Sequence, residues 1–162
     1  VIDLLIDRYH PIGFFYNPNL YPEQEYRRRL EATARVCSQR GLALWVLPRG
    51  SQAWTEAVKG LEGEPEGGER CRVCIRLRLE ATAWVARAAS IETFATTLTI
   101  SPSKNSRMIN SLGADLAGSC RVSFLEADFK KKDGFLKSVQ KSRELGLYRQ
   151  DYCGCCYSMR RG

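Results

Sequence analysis

Apolar residues recur along this chain in two rhythms: short unbroken runs, and longer stretches with an apolar position every third or fourth residue. The first reads as buried strand and the second as amphipathic helix. Val1–Ile6 reads as the back half of a helix. Ile12–Tyr16 is an apolar, aromatic strand closed by the loop Asn17-Pro18-Asn19. Pro22 suits the first position of a helix with Glu23 and Glu25 in its first turn, Tyr26, Leu30, Ala34 and Cys37 on its inner face, and Gly41 as its stop. Leu42–Leu47 is a second strand, ended by Pro48, and Ser51 caps a short helix through Val58.

Gly60–Arg70, rich in Gly and Glu, is a loop. Cys71 and Cys74 open the next helix, with an expected core stripe of Val73, Leu77, Ala81, Trp84, Val85 and Ala88. Thr93–Leu98 is β-branched and aromatic, hence a strand. Ser101 and Pro102 read as cap and first turn of a helix that turns Met108, Ile109, Leu112 and Leu116 inward. Val122–Leu125 is the last strand, and a helix from Phe135 to Leu145 ends at Gly146. Alternating strands and helices predict an α/β fold, a parallel sheet with helices on both faces, in one domain over residues 1–162. In such sheets ligands bind beyond the carboxyl ends of the strands. There stand three polar loops: Tyr16–Asn19, Thr99–Asn105 and Glu126–Lys130.

The chain is 44% hydrophobic and 27% charged, with no apolar run near bilayer length, so no membrane is expected and a cytoplasmic setting is. A net charge of +7 suggests an anionic partner, nucleic acid foremost, although an ordinary basic enzyme carries such a charge as well. There is no G-x-G-x-x-G and no G-K-[ST] phosphate loop.

Cysteine changes the picture. Five of the seven cysteines sit in Cys71-Arg72-Val73-Cys74 and Cys153-Gly154-Cys155-Cys156. In a reducing compartment such pairs favour metal or redox chemistry. Cys71 and Cys74, three apart at a helix start beside Arg70, Arg72, Arg76 and Arg78, are placed to exist as thiolates. Four-cysteine zinc, a thiol–disulfide couple and an iron–sulfur cluster all remain open on spacing alone. Cys156 is a spare ligand or a neighbour, Cys37 and Cys120 are structural, and the lone His10 carries no weight.

Ser101-Pro102-Ser103-Lys104-Asn105 offers amides and a lysine to an anion, or merely caps a helix. Asp128 is an acid, a metal ligand or a cap. Lys130, Lys131, Lys132 and Arg149 can grip phosphates, and Tyr16, Tyr21, Phe129 and Tyr148 can stack on a splayed base.

With those residues in view, the sequence resembles the QueH-type epoxyqueuosine reductases. The likeness lies in Gly13–Asn19 with Pro22 and Glu25-Tyr26, in Leu61–Cys74 and Arg76–Glu80, in Thr96–Asn105, in Phe124–Gly134, and in Tyr148–Cys155 with Tyr157-Ser158. It spans nearly the whole chain. The resemblance implies a Rossmann-like fold of the adenine-nucleotide α-hydrolase type and the final step of queuosine synthesis, reduction of epoxyqueuosine at the tRNA wobble position. It further implies a [4Fe–4S] cluster and an additional mononuclear iron ion held by Cys71, Cys74, Cys153 and Cys155, a disulfide bond, tRNA as partner and a separate electron donor. Asp128 becomes the candidate catalytic acid. Tyr16, Asn17, Asn19, Ser101, Lys104, Asn105, Lys130, Lys131 and Arg149 become candidate substrate contacts.

One departure stands out. The family opens with a strand followed by a Cys-Cys pair, and this chain starts after them, so a central strand and part of the metal site are expected to lie upstream of Val1. The competing readings are a zinc-stabilised RNA-binding module without catalysis, and a sulfur-transfer enzyme, which the absence of an adenylating loop disfavours.

Overall fold

The computed structural model describes residues 1–159. In order the elements are α1 (Ile2–Leu5), β1 (Gly13–Phe15), α2 (Glu23–Gln39), β2 (Leu44–Val46), α3 (Ser51–Ala57) and α4 (Glu69–Ala88), then β3 (Thr93–Phe94), α5 (Ser106–Cys120), β4 (Ser123–Phe124) and α6 (Gly134–Glu144). Single 3₁₀ turns lie at Leu98–Ile100 and Cys156–Ser158. The fold is mixed α/β and mostly helical. The chain gathers into two compact units, Val1–Glu56 together with the chain from Val139, and Ala57–Ser138.

The first unit is built on a βαβ crossover. β1 and β2 pair in parallel with Gly13 opposite Leu44 and Phe15 opposite Val46, and α2 supplies the crossover that a parallel pair requires. Acidic Glu23 and Glu25 occupy the first turn of α2, where the helix dipole favours them, and Pro22 stands one place earlier than expected, as N-cap. The expected inner face holds at three of its four positions. Cys37 is buried, Tyr26 and Leu30 are half-buried, but Ala34 is exposed. The most buried side chains of this helix are Glu25 and Cys37.

The second unit repeats the crossover: β3 and β4 pair in parallel through α5, with Phe94 opposite Phe124 and their rings 5.0 Å apart. Its core joins Ile75, Leu79, Ala83 and Ala86 of α4 to Ile109, Leu112, Leu116, Ala117 and Cys120 of α5, closed by Phe94. The expected stripe on α4 is therefore rotated. Trp84 is 60% exposed, whereas the buried line runs Cys71, Cys74, Ile75, Leu79, Ala83, Ala86. This helix is apolar over more than half its circumference, so the 3.6 period alone admits two faces. Packing against α5 selects the one that begins with the cysteines.

All four strands are shorter than the sequence suggests. Thr93–Leu98 keeps only two residues as strand before the 3₁₀ turn, and Ser101 does not cap α5. Asn105 does, its Oδ1 accepting the Met108 N–H at 3.1 Å. Instead of one continuous sheet the described residues form two separate parallel pairs. Trp45 and Val46 of β2 are 38% and 46% exposed, so that strand is not covered on both faces as a central strand would be. No helix of the described residues is long and apolar enough to cross a membrane.

Candidate functional site

The thiols of the second unit sit at the start of α4. Gly68 caps the helix without a side chain, and Glu64 Oε2 accepts the Glu69 N–H at 3.0 Å in its place. Arg70 turns inward, 3% exposed, and its Nη1 lies 3.2, 2.9 and 2.5 Å from the carbonyl oxygens of Leu61, Glu62 and Glu64. The Gly- and Glu-rich loop is thus wound around a guanidinium. That winding presents the Gly67 N–H to Cys71 Sγ at 3.2 Å. Cys71 and Cys74 are each 9% exposed, one helical turn apart on the same buried line.

These two sulfurs fit the metal assembly that the resemblance implies. Thiolates are the donors that soft metals and iron–sulfur clusters take, and N–H donation to sulfur is one of the devices that tune such clusters. Neither unit by itself gathers three or more His, Cys, Asp or Glu side chains into a metal-holding group among the described residues. The expected disulfide is absent: none of the seven cysteines is bonded to another. Helical spacing of three keeps Cβ atoms about 5–6 Å apart, beyond disulfide reach. In the tail, Cys155 Sγ lies against Ser158 Oγ at 3.4 Å instead.

The tail thiols belong to the first unit. Buried Glu25 accepts from Arg29 Nε at 2.6 Å and from the Tyr148 hydroxyl at 2.6 Å. Arg29 Nη1 and Nη2 then donate to the carbonyls of Cys153 and Tyr152 at 2.9 and 3.0 Å. Gly154 O accepts the Tyr21 N–H at 2.8 Å, and the Tyr152 hydroxyl donates to Tyr21 O. Cys155 is 6% exposed, Cys153 half-buried and Cys156 exposed. Burial, reinforced by the Glu25 charge, pushes the Tyr148 and Tyr152 hydroxyls above the ordinary tyrosine range.

Of the three expected loops, the structure joins two. Lys130 Nζ, on the loop after β4, donates to Lys104 O at 2.9 Å and lies 3.4 Å from Ser106 Oγ and 3.7 Å from Asp128. Lys104 itself pairs with Glu66 at 3.4 Å, and the hydroxyls of Ser101 and Ser103 are 3.0 Å apart. Lys130 and Lys104 therefore tie loops together, while Lys131 is exposed at the rim of a cleft of about 530 Å³. That cleft is lined by Ser106, Arg107, Asn110, Ser111, Glu126 and Asp128 besides Lys131. Two buried acceptors, Asp128 Oδ1 and Asn110 Oδ1, have no hydrogen-bond partner among the described residues. Asp128 thus stands in a polar recess with acceptor capacity unspent.

The third loop, Tyr16–Asn19, lies in the first unit. Burial holds the Tyr16 hydroxyl above its usual range. Asn17 O accepts the Leu20 N–H, and Asn19 is 2% exposed with Oδ1 unpartnered. Arg149 is exposed. Among the aromatic candidates, Phe129 is buried, Tyr16 is half-buried and Tyr148 is committed to Glu25, which leaves Tyr21, 53% exposed, as the most open face. Sequence reasoning missed Arg29 and Asn110, took Arg70 only as a charge beside the thiols, and took Glu126 only as the start of a polar loop. Only Arg29 carried a signal, its spacing of four from Glu25.

Comparison with known proteins bears on this arrangement. The family model "Epoxyqueuosine reductase QueH" matches residues 1–161. The epoxyqueuosine reductase QueH of Streptococcus pyogenes serotype M1 is 40% identical over 151 residues, 90% of this chain and 59% of the relative. That of Thermotoga maritima is 40% identical over 149 residues, 90% of this chain and 78% of the relative. That of Staphylococcus epidermidis is 34% identical over 153 residues, with 90% and 64% covered. The chain spans about three fifths of the length of the streptococcal relative.

Proposed function

This chain belongs to the QueH family of epoxyqueuosine reductases, and on that premise we propose that it reduces epoxyqueuosine to queuosine at the wobble position of tRNA, in the cytoplasm. The family match over residues 1–161 carries the reading, and the paired buried thiols at the start of α4 support it.

Deoxygenating an epoxide breaks two C–O bonds, takes up two electrons and two protons, and leaves an alkene and water. Cys71 and Cys74 of one unit, and Cys153 and Cys155 of the other, would supply thiolate donors toward a [4Fe–4S] cluster and an additional iron ion. Bound there, the metal assembly supplies electrons singly and Lewis acidity at oxygen. A separate electron donor would be the partner that supplies the two electrons. Asp128 holds or delivers a proton at the departing oxygen, its buried Oδ1 having no competing hydrogen bond. Arg107 and Lys131 at the cleft rim, with exposed Arg149, take phosphates of the anticodon loop, and exposed Tyr21 offers a base a stacking face. Tyr16, Asn17, Asn19, Ser101, Lys104, Lys130 and Asn105 shape the loops against which the RNA lies. The parallel βαβ crossover within each unit supports a Rossmann-like fold of the adenine-nucleotide α-hydrolase type.

Anaerobic purification of the full gene product, with iron and sulfide analysis, tests the cofactor. Incubation with tRNA carrying epoxyqueuosine and a chemical reductant, read by nucleoside chromatography, tests the reaction. Queuosine and about four sulfides per protein are expected. A colourless protein with one zinc and no product would replace this reading with a zinc-stabilised RNA-binding module.

A further inference from the structure

We propose that Arg29, held by Glu25, is the positioning residue of the Cys153-Gly154-Cys155 turn. The proposal deepens the reading above, since it assumes that these two thiols are used. Three observations carry it. Arg29 divides its guanidinium among a buried carboxylate and the consecutive carbonyls of Tyr152 and Cys153. Both partners of the ion pair are enclosed, with side chains 13% and 5% exposed, so the charge is spent on this turn and not on solvent. The turn is shaped to the guanidinium from the other side as well. Gly154 has φ +116°, and a Cβ there would lie 2.8 Å from Arg29 Nη1 and 2.4 Å from Leu20 Cδ2.

A tail with one 3₁₀ turn has little secondary structure to fix its thiols. A planar fork that grips two successive main-chain oxygens fixes them directly, and the Tyr21 N–H on Gly154 O fixes the next peptide. A lysine keeps the charge but cannot span two carbonyls and a carboxylate at once. Arg29→Lys therefore separates positioning from charge.

The test is pulse alkylation of the full gene product with iodoacetamide, metal-free and reduced, with each cysteine followed by mass spectrometry. Cys37 and Cys120, buried in the two cores, report global loosening. In Arg29→Lys we expect Cys153 and Cys155 to label at least about tenfold faster, with Cys37 and Cys120 at the wild-type rate. Tyr148→Phe, which weakens the clamp through Glu25, should give a smaller rise confined to the same two thiols. Cys153 and Cys155 labelling at the wild-type rate in both variants would overturn the proposal, and so would a parallel rise of all four. Because the readout needs neither iron nor RNA, it succeeds or fails apart from the assignment of the reaction.

Discussion

The Tyr148 hydroxyl stands 2.6 Å from Glu25 Oε2, joining residues 123 positions apart in the chain. Glu25 is 4% exposed, and its other oxygen is taken by Arg29, so a buried carboxylate is satisfied from two directions. Tyr148→Phe removes one of them and should cost about 1–3 kcal/mol in urea unfolding. The pH dependence has a definite sign. The folded protein holds the Tyr148 proton more tightly than the unfolded chain does, so this stability is complete below the unfolded value of 10.0 and is lost as pH rises through the folded value. Wild type should lose stability above about pH 10 more steeply than the variant. Equal slopes would show that this hydroxyl contributes nothing.

Two glycines of α5 should respond in opposite senses to the same substitution. A Cβ on Gly113 would lie 2.4–2.6 Å from the Phe124 ring, whereas a Cβ on Gly118 meets nothing within 4 Å. Gly118→Ala should stabilise by about 0.5–1 kcal/mol through helix propensity. Gly113→Ala should destabilise by about 1–3 kcal/mol through overpacking. Thermal melts of the pair measure both, and a shift of like sign would contradict the close approach of α5 to β4.

Removing the cap of that helix is a third test. Asn105→Ala should cost about 0.5–2 kcal/mol, and Asn105→Asp almost nothing, because a carboxylate oxygen accepts the same N–H. If RNA affinity falls in Asn105→Ser, which keeps a capping oxygen and adds no charge, while stability holds, the side chain also touches the substrate.

Much of the fold was legible because its signals are local. Pro22 with Glu23 and Glu25, the β-branched and aromatic runs, and the glycines after α2 and α6 mark elements by their own chemistry. The parallel pairing followed from alternation of helix and strand. What failed depended on distant partners. Which side of α4 is buried is decided by α5, and Asn105 displaced Ser101 as cap because the chain first makes a 3₁₀ turn over Leu98–Ile100. For the site, cysteine spacing announced the thiols, but Arg70 and Arg29 act through main-chain carbonyls, which every residue possesses and no sequence pattern flags.

Asp128 offers the most direct test of the reaction. Asp128→Asn keeps size and removes the acid, so turnover should fall by about 10²-fold or more while the melting temperature stays within a degree or two. Single-turnover conversion of epoxyqueuosine tRNA measures it. Unchanged turnover would move the proton source elsewhere.

The turns that carry the two thiol pairs share a form of support: Arg70 grips Leu61, Glu62 and Glu64 oxygens ahead of Cys71, and Arg29 grips those of Tyr152 and Cys153. A guanidinium keeps its charge at every pH a folded protein survives. The guanidinium half of each support is therefore electrically constant, so its grip on the main-chain oxygens beneath the sulfurs does not slacken as the acidity of the medium changes.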